Sequence, residues 1–139
     1  METFQLFFQQ LTQVYRPFES KLNVELSKHQ LYRAQWSILY YIVNFGSPTL
    51  VEISTYLGVE KPTVTRTINR LEELGYVEHV PGKDKREKRM QLTTLGKNVY
   101  REVRKTVDEF EQEIIKGVSE KELLEAIHVM KAIRSNLLK

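Results

Sequence analysis

The sequence contains no cysteine, which excludes disulfides, thiolate metal sites and cysteine-based redox sensing by this chain. It also lacks an apolar run approaching the roughly 20 residues that a membrane-spanning helix needs. The first residues show no basic region followed by an apolar one, so neither insertion nor secretion is indicated. We therefore expect no membrane partner and a cytoplasmic location.

The motifs of common enzyme active sites are missing as well. No Gly-x-Ser-x-Gly elbow, His-Glu-x-x-His pair, P-loop or Gly-x-Gly-x-x-Gly stretch occurs. The histidines His29, His79 and His128 lie far apart and form no ligand cluster in the sequence. We expect no catalytic residue, no metal site and no cofactor.

Positive charge is concentrated in one short stretch of an otherwise balanced chain. The 139 residues are 41% hydrophobic and 28% charged, as in soluble globular proteins, and carry a net charge of +3. Residues 83–89 hold five basic and two acidic side chains, a surplus equal to that net charge. Residues 108–125 are strongly acidic. A basic middle and an acidic far end predict that one side of the protein attracts nucleic acid.

Apolar residues at steps of three and four predict a mainly helical protein. Thr49 and Glu52 form a capping box before the third helix, and Gly58 is a suitable stop after it. The helices predicted in the first half of the chain cover residues 3–26, 33–45, 50–57 and 61–74. The third and fourth, which are short and joined by a tight turn, form a helix-turn-helix.

The fourth predicted helix has two faces of different chemistry. Val64, Ile68 and Leu71 share one side and are expected to pack inward. The other side carries the hydroxyl, amide and guanidinium groups that reach base edges and phosphates when a helix enters the major groove. An ordinary surface helix is the alternative. The residues of this helix expected to contact DNA are Lys61, Thr63, Thr65, Arg66, Asn69 and Arg70.

A hairpin with a basic tip is predicted next, because residues 76–80 and 89–92 read as strands around a Pro81-Gly82 turn. Helix-turn-helix, strand, basic loop and strand together describe a winged helix. Asp84 is expected to hold the Arg86 guanidinium extended for a narrow minor groove; an exposed ion pair of little value is the alternative. The wing residues expected at DNA are Lys83, Asp84, Lys85, Arg86 and Lys88, and Arg89 is expected to face phosphate or solvent.

Both chain ends carry apolar helical stripes that a small winged lobe cannot cover. Thr93 or Thr94 can cap a fifth helix of about 24 residues, which would span about 36 Å. Ser119 and Glu122 form a capping box for the last helix. Burial against a symmetric partner is the economical solution, and an intramolecular helical hairpin is the alternative. The residues expected to dimerise are Phe4, Phe7, Phe8, Leu11, Leu123, Ile127, Met130, Ile133 and Leu137.

These segments resemble the MarR family of bacterial transcription regulators. The resemblance rests on Asp84-Lys85-Arg86 with Leu92-Thr93 and Gly96, and on residues 33–36, 49–53, 63–66 and 71–77. It spans nearly the whole chain and is weakest at the ends. Lys85, His79 and Glu60 depart from the residues frequent at their positions in that family.

The resemblance implies a homodimeric winged helix that binds pseudopalindromic promoter DNA, usually as a repressor. Residues 33–92 would form the DNA-binding lobe, and residues 1–26 and 95–139 the dimerisation helices. By the same resemblance Arg86 would enter the minor groove of double-stranded DNA with Asp84 as its brace. A small aromatic or anionic effector between the lobes, near Arg16, His29, Trp36, Tyr40 and Tyr41, is a hypothesis. A winged-helix protein-interaction module without a specific DNA target is the alternative function.

Overall fold

The computed structural model describes residues 1–81 and 88–139. In this part of the chain, six helices and two strands follow the predicted order. The elements are α1 (Thr3–Ser27), α2 (Arg33–Phe45), α3 (Leu50–Leu57), α4 (Lys61–Glu73), β1 (Val77–His79), β2 (Met90–Leu92), α5 (Thr94–Ile114) and α6 (Glu120–Leu137). They fall into two compact units, Met1–Asp108 and Glu109–Lys139.

The predicted helix boundaries are confirmed where side chains cap them. The Thr49 hydroxyl oxygen accepts from the Glu52 backbone N–H at 3.1 Å, at the start of α3. Gly58 ends that helix in the left-handed region, with φ of +67°, which glycine adopts without steric cost. The N-cap residue of α4, Glu60, makes no side-chain cap hydrogen bond. Helix α4 therefore begins without a side-chain cap on the N–H groups of its first turn.

The hairpin is shorter than predicted. Strands β1 and β2 pair antiparallel, with Glu78 opposite Gln91. Tyr76, predicted to be in the first strand, instead closes the end of α4, since its N–H donates to the Leu71 carbonyl at 2.9 Å. Arg89, predicted in the second strand, forms an isolated bridge with Thr49. The residues just before α3 thus lie beside the hairpin. They add one bridge to its antiparallel pairing.

A single hydrophobic core joins the helix-turn-helix to the hairpin within the first unit. Fully buried side chains come from α2, α3, α4 and β2: Leu39, Ile53, Leu71 and Met90 are each inaccessible to solvent. Packing in this core holds α4 against the hairpin. The position of α4, and so of its outer face, therefore depends on tertiary packing more than on helix propensity.

Helix α5 starts directly on the hairpin. The Thr93 hydroxyl accepts from the Gly96 N–H at 2.9 Å and donates to the Gly75 carbonyl. Thr93, rather than Thr94, therefore caps the helix. Val103 and Val107 are the buried valines farther along it. The helix ends at Ile114, which makes it 21 residues long, slightly shorter than predicted.

The second unit contains the end of α5 and the whole of α6. Ser119 and Glu122 form the predicted capping box at the start of α6. No residue of α6 is buried. No helix in the described ranges combines the length and the apolar character needed to cross a membrane.

Candidate nucleic-acid interface

The helix-turn-helix is held together by short-range hydrogen bonds around its turn. The Ser54 hydroxyl donates to the Val59 carbonyl, and the Gly58 N–H donates to the Ser54 carbonyl at 2.9 Å. These bonds fix the path from α3 into α4. The direction of α4, and so of its outer face, is set by this turn together with the core beneath it.

The inner face of α4 is apolar, as the sequence predicted. Val64, Ile68 and Leu71 are buried. Thr67 is buried among them, and its hydroxyl donates to the Thr63 carbonyl one turn earlier at 3.1 Å, so its polar group is satisfied. Thr67 is a core residue that the apolar pattern of the sequence does not predict.

The outer face of α4 carries the polar side chains expected to meet DNA. Arg66, Asn69 and Arg70 are exposed, whereas Thr63 and Thr65 are half-buried. Lys61 is exposed in the first turn. The structure thus brings all six predicted residues onto one helix, with the longest side chains farthest into solvent. This is the arrangement that a helix needs to reach base edges and phosphates together.

Two neighbours orient the arginines on this face. An Arg66 Nη donates to the Thr63 hydroxyl at 3.3 Å. Arg70 lies 3.1 Å from the Glu73 carboxylate. Both Arg70 and Glu73 are exposed, and an exposed ion pair contributes little to stability. The guanidinium of Arg70 can therefore exchange this carboxylate for a phosphate at small cost.

The wing is described only at its base. Lys83, Asp84, Lys85 and Arg86 lie outside the described residues. Lys88 is exposed and has a positive φ of 41°.

Arg89, at the base of the wing, pairs with residues at the start of α3. Its guanidinium donates to the Ser47 carbonyl at 2.9 Å and lies 3.6 Å from the Glu52 carboxylate. That Arg89 faces phosphate or solvent stays a prediction: its side chain is 31% exposed, and its partners lie before and within the first turn of α3. No local sequence signal could have shown this, since the partners are about forty positions away.

A second cluster joins α2 to α5. The Trp36 and Tyr100 rings stack with centroids 5.1 Å apart and an interplanar angle of 12°. The Arg104 guanidinium carbon lies 5.8 Å from the Trp36 ring centre and 5.9 Å from that of Tyr40. Sequence reasoning identified Trp36 and Tyr40 but missed Tyr100 and Arg104. Trp36 and Tyr40 are four residues apart on α2, as Tyr100 and Arg104 are on α5. This spacing, which puts each pair on one helix face, is the sequence signal that could have indicated them.

The other residues named in the effector hypothesis do not join this cluster. Tyr41 packs against Tyr56, with ring centroids 4.3 Å apart. The His29 Nε2 atom lies 2.7 Å from the Thr106 hydroxyl. Arg16 is exposed. Of the five residues, the structure therefore brings only Trp36 and Tyr40 together.

The terminal stripes remain accessible in the single chain. Phe4 is 64% exposed and Ile127 is 49% exposed. Among the predicted dimerisation residues, Phe7, Leu123 and Ile133 are half-buried, and the exposed ones are Phe4, Phe8, Leu11, Ile127, Met130 and Leu137. Exposed apolar side chains therefore lie on both α1 and α6.

No group of three or more histidine or acidic side chains within residues 1–81 and 88–139 could hold a metal ion.

The chain has a helix-turn-helix whose inner face is buried, followed by a hairpin and by a helix that is capped on that hairpin. This arrangement defines a winged helix-turn-helix protein. The chain belongs to the MarR family of transcriptional regulators: residues 29–87 match the MarR family model. It is therefore a DNA-binding transcriptional regulator.

Relatives that align with most of the chain are also HTH-type transcriptional regulators. It is 44% identical over 106 residues to the uncharacterized HTH-type transcriptional regulator YwoH of Bacillus subtilis, covering 76% of this chain and 77% of that protein. An uncharacterized HTH-type transcriptional regulator of Staphylococcus aureus is 36% identical, covering 97% of this chain and 94% of its own length. These homologues are regulators rather than enzymes.

The fold is similar to that of a Staphylococcus aureus MarR solved in complex with salicylate and kanamycin. The TM-score is 0.85 at 34% identity, over 96% of this chain and 91% of the other. The predicted fold class is thereby confirmed.

Proposed function

We propose that the protein is a homodimeric repressor that binds a pseudopalindromic promoter site in double-stranded DNA. The observation that carries this proposal is the division of α4 between a buried apolar face and an outer face with exposed Arg66, Asn69 and Arg70. An amide and two guanidinium groups on one exposed helix face can make bidentate contacts to adenine and guanine in the major groove.

The dimeric part of the proposal is supported by the exposed apolar side chains of α1 and α6. Residues 1–26 and 95–139 would supply the dimer contacts, and residues 33–92 the DNA-binding lobe. A twofold dimer places two copies of α4 on the same face of the duplex, so that the half-sites lie about one helical turn, or roughly 10 base pairs, apart.

The wing would add affinity and a shape-sensitive contact. Its basic residues Lys83, Lys85 and Lys88 would neutralise phosphates, which releases condensed counterions. Arg86, braced by Asp84, would enter the adjacent minor groove. The support for these roles is the sequence of the tip, the exposed position of Lys88 and membership of the family.

Repression would follow from occupancy of promoter sequence that polymerase needs, and a small aromatic or anionic effector would release the DNA. The related Staphylococcus aureus protein was solved with salicylate. In this chain, Trp36, Tyr40, Tyr100 and Arg104 form an aromatic cluster with a cation over its rings, which suits an aromatic anion.

The proposal is tested by selecting genomic fragments that the protein retains and measuring fluorescence anisotropy against duplexes from them at several salt concentrations. Specific binding with a steep salt dependence, and much weaker binding to scrambled duplexes, is the expected result. Equal affinity for all duplexes would instead favour a protein-interaction module.

A further inference from the structure

One arginine at the base of the wing is bonded both within the hairpin and outside it. The Arg89 backbone carbonyl accepts from the Val80 N–H at 2.9 Å, which joins the two arms of the hairpin just before its tip in sequence. The Arg89 guanidinium donates to the Ser47 carbonyl, also at 2.9 Å. A single residue therefore connects both arms of the wing to the segment that enters α3.

The backbone before α3 is held to the same part of the hairpin. Thr49 forms an antiparallel bridge with Arg89, and the Met90 N–H donates to the Pro48 carbonyl at 3.0 Å. Pro48 is fully buried. These bonds fix the point at which the Arg89 side chain leaves the hairpin, next to the first turn of α3.

Glu52 supplies the negative charge that meets this arginine. Its carboxylate lies 3.6 Å from the Arg89 guanidinium and accepts from the Thr49 hydroxyl at 3.2 Å. The cap of α3 therefore holds the carboxylate in the first turn of the helix. A charge-assisted contact to a partner held in this way restricts the direction of the guanidinium. We call Ser47, Thr49, Glu52 and Arg89 the wing-base junction.

The exposure of the ion pair argues against a main role in stability. The Arg89 and Glu52 side chains are 31% and 48% exposed, and ion pairs of this kind contribute little to the free energy of unfolding. The backbone cap from Thr49 to Glu52 holds the start of α3 without the pair. Loss of the ion pair should therefore leave the fold intact and loosen the base of the wing.

From this arrangement we propose that Arg89 is a positioning residue for DNA binding. Held by Ser47 and Glu52, it fixes the wing relative to the helix-turn-helix, so that α4 and the wing can contact one duplex together. The inference rests on the proposed role of the wing at DNA. It also gives Glu52 a task that opposes the effect of its charge, because a carboxylate beside a basic wing by itself repels phosphate.

The first test examines the free full-length protein, without DNA. Because the chain contains no cysteine, Lys88→Cys provides a single site for a nitroxide label beside Arg89. Electron paramagnetic resonance should show a more mobile label when either Arg89→Gln or Glu52→Gln is added, with the fold checked by circular dichroism. Unchanged mobility in both variants would overturn the junction.

The matched control for Glu52→Gln is Glu60→Gln, which removes another exposed carboxylate of the same lobe. Glu60 makes no side-chain cap hydrogen bond at the start of α4. Its replacement should therefore leave the label as immobile as in the wild-type background. Equal mobility of the label in the Glu52→Gln and Glu60→Gln variants would show that Glu52 does not hold the wing.

The second test measures the affinity of unlabelled variants for a selected genomic duplex by fluorescence anisotropy. Glu52→Gln should weaken binding by about threefold or more although it removes a negative charge, and Arg89→Gln by about tenfold, as expected for loss of a charge-assisted contact. The double variant should bind within about twofold of Arg89→Gln, because both changes break one contact. Glu60→Gln should not weaken binding.

The two signs of effect separate positioning from a direct phosphate contact. If Glu52→Gln bound as tightly as wild type, or if the losses added in the double variant, the positioning role would be overturned and Arg89 would act through its charge alone. If no duplex were selected at all, the proposed function would fail, and the label mobility would still decide whether Arg89 holds the wing.

Discussion

Gly96, in the first turn of α5, lies directly against the backbone of Tyr76. A β-carbon at position 96 would fall well inside van der Waals contact with the Tyr76 carbonyl oxygen. That carbonyl also accepts from the Thr93 N–H at 3.1 Å. The close approach of these two residues holds the start of α5 on the junction between α4 and the hairpin, and it explains why glycine is needed there.

Gly96→Ala should therefore destabilise the protein by about 1–3 kcal/mol or more, because the clash is with backbone that cannot move independently. Urea unfolding followed by circular dichroism measures the change. Thr94→Ala, an exposed substitution two positions earlier, should stay within about 0.5 kcal/mol of wild type. Equal stability of the Gly96→Ala and Thr94→Ala variants would show that α5 does not dock as described.

The capping box of α6 predicts a pH effect. The Ser119 backbone N–H, which donates to the Glu122 carboxylate at 2.9 Å, lowers the pKa of Glu122, and the Ser119 hydroxyl lowers it further. Because the folded-state pKa is below the unfolded value, the stabilisation is present above the unfolded pKa and is lost as pH falls through the folded pKa.

An NMR titration of the Glu122 side-chain carboxyl should accordingly give a pKa below its ordinary value. In Ser119→Ala the pKa should rise only part of the way, since the backbone donor, which has the larger effect, remains. Helix α6 should lose about 1 kcal/mol of stability in that variant, as is typical for loss of an N-cap. An unchanged Glu122 pKa in Ser119→Ala would mean that the hydroxyl makes no such contact in solution.

Ile127 tests the proposed dimer contacts. Its side chain is 49% exposed in the single chain, and Ile127→Lys would place a charge in the proposed apolar interface, where an unpaired charge is costly. Sedimentation velocity should show monomer at concentrations where wild type is dimeric. Glu125→Lys adds a positive charge at an exposed position of the same helix and should leave the dimer intact. A dimeric Ile127→Lys variant would exclude α6 from the interface.

Arg66 tests the role of α4. Arg66→Ala should weaken binding to a selected operator by about tenfold or more, the usual cost of losing a guanidinium contact at DNA, without altering the oligomeric state. Arg134→Ala removes an exposed arginine from α6 and serves as the matched control in the same anisotropy assay. If both variants bound as tightly as wild type, α4 would not carry the contact.

The parts of the fold that the sequence predicted well depend on neighbours along the chain. Thr49 with Glu52, and Ser119 with Glu122, cap helices through partners three residues away, so their spacing is visible in the sequence. The inner face of α4 followed from helical periodicity for the same reason.

The features that sequence reasoning missed depend on distant partners. Arg89 reaches Ser47, and Trp36 stacks on Tyr100. The four-residue spacing on α2 and on α5 is visible in the sequence, but only tertiary packing brings these partners together. For the DNA contacts, the sequence supplied the residue types on α4, and the structure shows which of them are exposed. The roles of Asp84 and Arg86 remain predictions from sequence.

The central claim is that the two α4 helices of a dimer bind the two half-sites of one DNA duplex. Hydroxyl-radical footprinting of the full-length protein on a selected genomic fragment tests it most directly. We predict two protected half-sites, related as an inverted repeat and centred about one helical turn, or roughly 10 base pairs, apart. A single protected half-site, or the same protection on a scrambled fragment, would contradict the account.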